Sequence, residues 1–196
     1  PESASDLVSL DDVPIAETWG AMEKLVDAEL TRSIGVSNFS VNRLRRVSEG
    51  ARIQPAVNQI ELHPYLQQRE MLDWCREAGV ALTAYSPLGS RDRASALKAE
   101  DEPVLLEDEA IGAIAKKHDA SPAQVLIAWA LERGTSVIPK SVSRTRIREN
   151  LAATELSLDA EDMERIGALD RHRRYVDGRF WAKEGGPYTL ESLWDE

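Results

Sequence analysis

Polar side chains suited to binding a small molecule follow, or lie within, four short apolar runs of this sequence. The four sets are Ser37-Asn38, Asn58-Gln59-Glu61, Tyr85-Ser86 and Lys140-Ser141. Hydroxyl and amide groups both donate and accept hydrogen bonds, a tyrosine ring offers a flat face, and lysine adds positive charge. Serine and asparagine at such places also cap helices and form turns. One set alone would mean little, but four together favour a binding site.

Each polar set belongs to a predicted β-strand. The predicted strands are Ser33–Ser37, Ala56–Leu62, Val80–Tyr85 and Ser136–Ile138. Stretches with helical spacing of apolar residues separate them. These predicted helices are Glu17–Leu30, a helix that Ser40 caps and Gly50 ends, Gln68–Ala78, Glu109–His118, Pro122–Arg133, Arg144–Ala153 and Asp159–Leu169. The alternation predicts an α/β fold with a parallel sheet and right-handed crossovers.

Two folds contain such a sheet, a doubly wound open sheet and a (β/α)8 barrel. A dinucleotide-binding open sheet is expected to carry G-x-G-x-x-G after its first strand, and this sequence has no such pattern. The carboxyl ends of barrel strands meet on one face, where barrel enzymes place their sites. The four polar sets match that face, so the barrel is favoured. Four strands are half of those that close a barrel, so we expect half of such a domain.

Composition argues against several classes of function. The 196-residue chain has a net charge of −10, which does not suit nucleic-acid binding. No apolar run approaches the roughly 18 residues of a membrane span, and no leader pattern opens the chain. We therefore expect a cytoplasmic protein that contacts neither nucleic acid nor membrane.

The sequence also predicts no metal site. Its single cysteine, Cys75, lies on the apolar face of a predicted helix and is expected to be a buried structural thiol. The three histidines, His63, His118 and His172, are too scattered to form a metal-ligand set. His63 follows the second strand and could approach the mouth of a barrel. The other two are expected to be solvent-facing or structural.

Several sequence blocks resemble the aldo-keto reductase family. They are IGVSNF at Ile34–Phe39, PAVNQIELHPYLQQ at Pro55–Gln68, AYSPLGS at Ala84–Ser90, SPAQVLIAW at Ser121–Trp129 and VIPKSVSRTRIREN at Val137–Asn150. The similarity runs from about Val13 to Leu169. It implies a partial (β/α)8 TIM barrel made of the four C-terminal βα units, strands five to eight, within a single domain of residues 1–196. Residues 170–196 correspond to the family's variable C-terminal loop, which helps to shape the carbonyl-substrate pocket, or form a tail packed across the bottom or side of the barrel.

The resemblance implies that the chain binds NADP(H). In the family, residues at the positions of Ser37, Asn38 and Gln59 hydrogen-bond the nicotinamide carboxamide, and the residue at Tyr85 stacks on its ring. Residues that match the pyrophosphate loop are Ser86, Leu88, Ser90 and Asp92. Those that match the 2′-phosphate pocket are Lys140, Ser141, Val142 and Arg146, and those that match the adenine contacts are Glu149 and Asn150.

The residue types suit these implied roles. Arginine and lysine supply charge-assisted donors to a phosphate, so Lys140 and Arg146 favour NADPH over NADH. The start of the helix Arg144–Ala153 would add backbone N–H donors. Taken singly, Tyr85 could be a core aromatic and Arg146 a solvated helix residue.

The resemblance also implies an activity, the reduction of an aldehyde or ketone to an alcohol. The family's catalytic Asp, Tyr, Lys and His come from its first four strands, and no residue of this chain matches them. We therefore assign no catalytic residue and expect an NADPH-dependent reductase of which this chain is the cofactor-binding half, with a complementing N-terminal half as partner. Two alternatives stay open: a non-catalytic NADP-binding or self-associating module, and a truncated gene product without an independent role.

Overall fold

Four short strands form one sheet, and the computed structural model describes Pro1 and residues 3–195. The strands are β1 Val36–Ser37, β2 Val57–Glu61, β3 Ala81–Tyr85 and β4 Ser136–Val137, in the order β1-β2-β3-β4. β1 pairs in parallel with β2, and β3 pairs in parallel with β4. The predicted α/β fold with a parallel sheet is confirmed, and it is consistent with part of a (β/α)8 barrel.

β1 and β4 are shorter than the sequence predicts. Each is a two-residue strand at an edge of the sheet, with one neighbouring strand to pair with. Before β1, the backbone at Gly35 approaches β2 so closely that a Cβ would lie 2.6 Å from the carbonyl oxygen of Val57. Only a glycine permits that approach. In the predicted strand Ser33–Ser37, the ladder with β2 covers the last two residues, and the carbonyl oxygen of Ile34 accepts one further hydrogen bond from the N–H of Ala56 at 2.9 Å.

Eight α-helices accompany the sheet in the described residues. They are α1 Ile15–Asp27, α2 Val41–Gly50, α3 Arg69–Ala78, α4 Glu109–Lys117, α5 Pro122–Glu132, α6 Arg144–Ala152, α7 Ala160–Gly167 and α8 Leu190–Trp194. The predicted caps are confirmed, because Ser40 accepts a hydrogen bond from the backbone N–H of Arg43, and Ser121 forms a capping box with Gln124. None of the described helices is long and apolar enough to cross a membrane.

The chain divides into two compact units. The first unit comprises Pro1–Gln59, Glu70–Ala81 and Asp177–Glu196. Its core contains Trp19, Ile34 and Val47, and the indole N–H of Trp19 donates to the carbonyl oxygen of Ile53 at 3.1 Å. The buried indole thus has both an apolar environment and a hydrogen-bond partner.

The thiol of Cys75 is buried in the first unit, as predicted. Burial raises the pKa of this thiol to about 11, which keeps it protonated at neutral pH. Its Sγ lies 3.6 Å from the sulfur of Met71.

The second unit comprises Ile60–Arg69 and Leu82–Val176. Its central element is α5, in which the six consecutive residues from Val125 to Ala130 are buried. A helix that is apolar on all sides is typical of a domain interior. Ile111 and Ile114 of α4 and Ile166 of α7 are also fully buried in this unit.

One helix was not predicted from the sequence. Residues 170–196 were expected to form a variable loop or a tail, and within them α8 forms at Leu190–Trp194, with Thr189 as its N-cap. A five-residue helix is too short to show an apolar period in the sequence. Contacts within the first unit stabilise it: Arg43 donates to the carbonyl oxygen of Leu193 at 2.8 Å, and the indole of Trp194 donates to that of Asp177 at 2.7 Å.

Candidate functional site

The polar residues at the end of β1 are held in a defined geometry within the first unit. Ser37 pairs in register with Gln59, and the backbone N–H of Asn38 donates to the carbonyl oxygen of Gln59 at 2.9 Å. Asn38 itself has a φ of +58°, in the left-handed region that asparagine tolerates better than most residues. The chain therefore turns sharply at Asn38, immediately after the strand.

The side chain of Asn58 packs against this turn and is fully buried. Its side-chain amide donates to the carbonyl oxygen of Phe39 at 3.0 Å and accepts from the N–H of Phe39 at 3.4 Å. Both polar atoms of the amide are thus occupied by the backbone after β1. Asn58 is a structural residue of the turn, whereas its neighbour Gln59 is only partly buried.

Asn38 differs from Asn58 in having an unused acceptor. Its Oδ1 atom is buried, and no described residue donates a hydrogen bond to it. Buried polar atoms are almost always paired, so an orphaned acceptor marks a place where a ligand donor would fit.

The second unit turns sharply after β3. Ser86 has a φ of +51° and Ser90 a φ of +48°, both in the left-handed region. Their hydroxyl groups hydrogen-bond each other with 2.5 Å between the two oxygens. Strained backbone at non-glycine residues clusters at functional sites. The turn therefore holds two of the predicted pyrophosphate-loop residues side by side.

Tyr85, the last residue of β3, is partly buried. Burial raises the pKa of its hydroxyl well above the ordinary value, the negative charge of Glu61 raises it further, and Arg174 opposes both effects. The hydroxyl is therefore protonated at neutral pH, and the residue offers a neutral aromatic ring.

A cavity of about 270 Å³ lies in the second unit and collects six of the predicted cofactor residues. The six are Leu88, Lys140, Ser141, Arg146, Glu149 and Asn150. They come from the turn after β3, from the segment after β4, and from α6. The segments that follow β3 and β4 and the first turns of α6 thus form one concave surface.

The remaining lining residues were not among the predicted cofactor contacts. They are Leu106, Ser121, Pro122 and Ala123. The sequence marks Ser121 and Pro122 as the start of α5, a role that the structure confirms. Their place in the cavity depends on how α5 packs, which their sequence position does not reveal.

Eight of the fourteen predicted cofactor residues do not line this cavity, and Val142 and Asp92 are two of them. Val142 is 85% exposed, so its side chain faces solvent. Asp92 lies outside the cavity and accepts a hydrogen bond from the Lys140 ammonium at 2.8 Å, which lowers the pKa of its carboxyl group. Lys140 thus links the loop after β3 to the segment after β4.

The helix α6 begins beside the cavity. Ser143 is its N-cap and accepts from the backbone N–H of Arg146 at 3.5 Å, while the hydroxyl of Ser141 accepts from the N–H of Ser143 at 3.2 Å. Arg146 therefore stands in the first turn of α6, where the helix dipole and its side chain both favour a negative charge.

None of the three histidines lies among these residues. His63, which was expected near a barrel mouth, is fully buried and hydrogen-bonds the carboxylate of Glu61 at 2.9 Å. His118 pairs with Asp162 at 2.7 Å, and His172 is exposed. Across the described residues, no group of three or more His, Cys, Asp or Glu side chains is arranged to hold a metal ion.

Comparison with known proteins agrees with the resemblance seen in the sequence blocks. Residues 5–171 match the Aldo/keto reductase family, slightly more of the chain than the predicted 13–169. An aldo/keto reductase of Synechocystis sp. is 51% identical over 196 residues, which is 100% of this chain and 60% of that protein. A probable NAD(P)H-dependent D-xylose reductase of Aspergillus clavatus is 47% identical over 177 residues, which is 89% of this chain and 54% of that protein.

A third relative is the aldo-keto reductase family 1 member A1 of Rattus norvegicus. It is 41% identical over 192 residues, which is 95% of this chain and 58% of that protein. The chain thus spans between one half and two thirds of the length of these curated relatives. The family match covers most of the chain, and it includes every strand of the sheet. This chain belongs to the aldo/keto reductase family.

Proposed function

We propose that this chain binds NADP(H) and belongs to an enzyme that reduces aldehydes or ketones to alcohols. In this proposal the chain supplies the cofactor-binding half, strands five to eight of a (β/α)8 barrel, and the catalytic Asp, Tyr, Lys and His lie elsewhere. The carrying observation is the cavity that brings Lys140, Arg146 and Asn150 together beside the start of α6. When bound, NADPH supplies the hydride for carbonyl reduction.

The cavity has the donors that a phosphate monoester needs. Lys140 and Arg146 provide positive charge in a protein whose net charge is −10, so the cavity is a local exception to the overall acidity. The hydroxyl of Ser141 and the first turn of α6 add neutral donors. A volume of about 270 Å³ suits one end of a dinucleotide, with the 2′-phosphate between Lys140 and Arg146.

The rest of the lining suits an adenine ring. Leu88 and Pro122 give apolar faces, and Glu149 and Asn150 give an acceptor and a mixed donor–acceptor group. Adenine presents both donors and acceptors on its edges, so this combination of an apolar slot and two polar groups matches it.

The first unit supplies a matching set for the nicotinamide carboxamide. The unpaired Oδ1 of Asn38 would accept from the carboxamide NH₂, and the amide of Gln59 and the hydroxyl of Ser37 add further donors and acceptors. The turn that presents Asn38 is held in place by Asn58 through two hydrogen bonds to the backbone of Phe39. The unpaired acceptor supports the assignment of this position to the cofactor.

Titration of the chain with cofactor tests the proposal. Binding of NADPH and of NADH is measured by isothermal calorimetry, with Arg146→Ala as the test variant. We expect NADPH affinity to fall by about tenfold or more, since a charge-assisted contact contributes roughly 1.5–3 kcal/mol, and NADH affinity to stay unchanged. Arg148→Ala is the matched control, because Arg148 is on the same helix but does not line the cavity. Equal binding of NADPH by parent and Arg146→Ala would contradict the assignment of the 2′-phosphate.

A second candidate, a self-associating NADP-binding module, is favoured by exposed apolar residues of the second unit. Ile147 and Leu151, one helical turn apart on α6, are 52% and 72% exposed. Such a pair on a surface helix is typical of an interface. Light scattering across a range of protein concentrations separates the candidates: a dimer that Leu151→Lys dissociates supports self-association, and a compact monomer throughout rejects it.

A further inference from the structure

Tyr175 is buried where three segments of the second unit meet, with 3% of its surface exposed. Its backbone contacts the end of β2, its ring contacts the turn after β3, and its hydroxyl contacts residue 103. We propose that Glu61 and Tyr175 are positioning residues that hold the loop of residues 86–106, which carries the predicted pyrophosphate contacts, in its cofactor-binding conformation. The expected effect on cofactor affinity rests on the proposed function. The effect of Glu61 and Tyr175 on the conformation of the loop can be tested without it.

Glu61 holds the backbone of Tyr175 and Val176 in place. Its buried carboxylate accepts from the N–H of Tyr175 at 2.6 Å and from the N–H of Val176 at 2.9 Å. His63 completes the set, with 2.9 Å between Nε2 and the carboxylate. A carboxylate is an acceptor at both oxygens, so it suits two backbone donors. A glutamine would present an NH₂ group to one of those N–H groups and lose that contact.

The ring of Tyr175 packs against the first turn of the 86–106 loop. Gly89 has a φ of +85°, and a Cβ there would lie 3.3 Å from the Tyr175 ring and 3.0 Å from Cβ of Leu105. The guanidinium of Arg93 lies 5.4 Å from the ring centroid, within the range of a cation–π contact. The ring thus contacts two residues, Gly89 and Arg93, in the first part of the loop.

The hydroxyl of Tyr175 extends this link to the far end of the loop. It donates to the carbonyl oxygen of Pro103 at 2.8 Å. Burial raises the pKa of this hydroxyl to about 12, so it remains a donor at neutral pH. The side chain of Tyr175 therefore contacts both the start of the loop, at Gly89, and its end, at Pro103.

The other contacts of the loop are weaker. Residues 94 to 97 are exposed, and the Arg93–Glu102 ion pair at 2.6 Å lies within the loop itself. The Asp92–Lys140 and Arg91–Glu107 pairs also hold the loop, but they are exposed ion pairs, which contribute little. Ser90 and Asp92 lie on the stretch between Gly89 and the exposed residues. A loop that is not held in place would lower cofactor affinity by the cost of ordering it on binding.

The affinities of two ligands distinguish a specific effect on the loop from a general loss of structure. NADPH requires the pyrophosphate loop, whereas adenosine 2′-monophosphate, which has no 5′-phosphate, requires mainly the cavity lined by Lys140 and Arg146. For Tyr175→Ala and Glu61→Gln we expect NADPH affinity to fall about tenfold, while the affinity for the monophosphate changes less than about twofold. Tyr175→Phe keeps the ring contacts but loses the hydrogen bond to Pro103, so it is expected to recover only part of the loss. Tyr188→Ala is the matched control, because Tyr188 belongs to the first unit and hydrogen-bonds Val8.

Limited trypsin digestion gives a readout that needs no ligand. If the link holds the loop, Tyr175→Ala speeds cleavage after Arg91 and Lys98, and Tyr188→Ala does not. Equal losses for both ligands, or no loss for NADPH, would overturn the inference. If the parent binds neither ligand, the proposed function fails, and the digestion decides alone: faster loop cleavage supports the link and unchanged cleavage rejects it. Should Tyr175→Ala not fold, Glu61→Gln gives the same two measurements.

Discussion

Lys140 donates a hydrogen bond from its ammonium group to Asp92, with 2.8 Å between Nζ and Oδ2. These two residues come from different predicted parts of the cofactor site, the 2′-phosphate pocket and the pyrophosphate loop. Their pairing joins the loop after β3 to the segment after β4 through an ammonium group that a phosphate would also attract. Both side chains are largely exposed, at 70% and 68%.

The exposure of this pair leads to the first prediction. An exposed ion pair contributes about 0–1 kcal/mol to folding and is screened by salt. Asp92→Asn should therefore leave the thermal unfolding midpoint nearly unchanged and raise NADPH affinity, because the Lys140 ammonium loses its partner and is free for the 2′-phosphate. Thermal scans and calorimetric titrations measure the two effects, and Asp101→Asn, an exposed residue of the same loop, serves as control. A large loss of stability in Asp92→Asn would show that the pair has a structural role instead.

The second prediction concerns the left-handed turn at Asn38. Asn38→Ala and Asn38→Gly both remove the side-chain amide, so the difference between their free energies of unfolding measures the cost of a Cβ at a φ of +58°. The alanine variant should be less stable than the glycine variant by about 1 kcal/mol, because a Cβ is unfavourable in this region. Urea unfolding measures the difference. Both variants should also lose NADPH affinity, and retention of full affinity in either would remove Asn38 from the cofactor site.

The third prediction concerns Asn58, whose amide holds the backbone of Phe39 by two hydrogen bonds. Asn58→Leu, of similar size, should lower the free energy of unfolding by about 2–3 kcal/mol, since it leaves buried backbone groups of Phe39 without partners. Asn42→Ala, an exposed change on α2, is the control. A change within experimental error for Asn58→Leu in urea titrations would mean that water replaces the lost hydrogen bonds.

The fourth prediction is an acid-dependent loss of stability that originates at Asp162. Its carboxylate is buried and hydrogen-bonds Lys117 at 2.8 Å and His118 at 2.7 Å. Burial alone would raise its pKa, but the hydrogen bonds from Lys117 and His118 prevail and lower the pKa to about 2. The folded-state pKa is thus below the unfolded value of 3.8.

The sign of the effect follows from that order of pKa values. The stabilisation is fully present above the unfolded pKa and is lost as the pH falls from about 4 towards 2. Asp162→Asn should be less stable at pH 7 and should lose less stability over this pH range than the parent. Unfolding midpoints at a series of pH values measure this, with Glu161→Gln on the same helix as control. Parallel pH curves for parent and Asp162→Asn would contradict the prediction.

Local signals in the sequence were sufficient for most of the fold. All four predicted strands form, and each lies inside its predicted range, because a buried parallel strand leaves a short apolar run that helices and turns interrupt. The Ser121–Gln124 capping box could also be predicted, because its two residues are only three positions apart in the sequence. α8 was missed because five residues carry no periodic pattern and its stability comes from contacts with distant Arg43.

The sequence by itself determined the α/β order and the resemblance to the family, and it predicted a set of residues for a phosphorylated dinucleotide, because each of these inferences depends on residue types at short range. Only the tertiary structure decided which of those residues share a surface: Arg146 and Lys140 line one cavity, whereas Val142 faces solvent. It also decided that Asn58 is occupied by Phe39 while Asn38 keeps a buried, unpaired acceptor. The physical reason is that burial and hydrogen-bond partners arise when segments distant in sequence pack together, so two residues of the same type, such as Asn38 and Asn58, receive different environments.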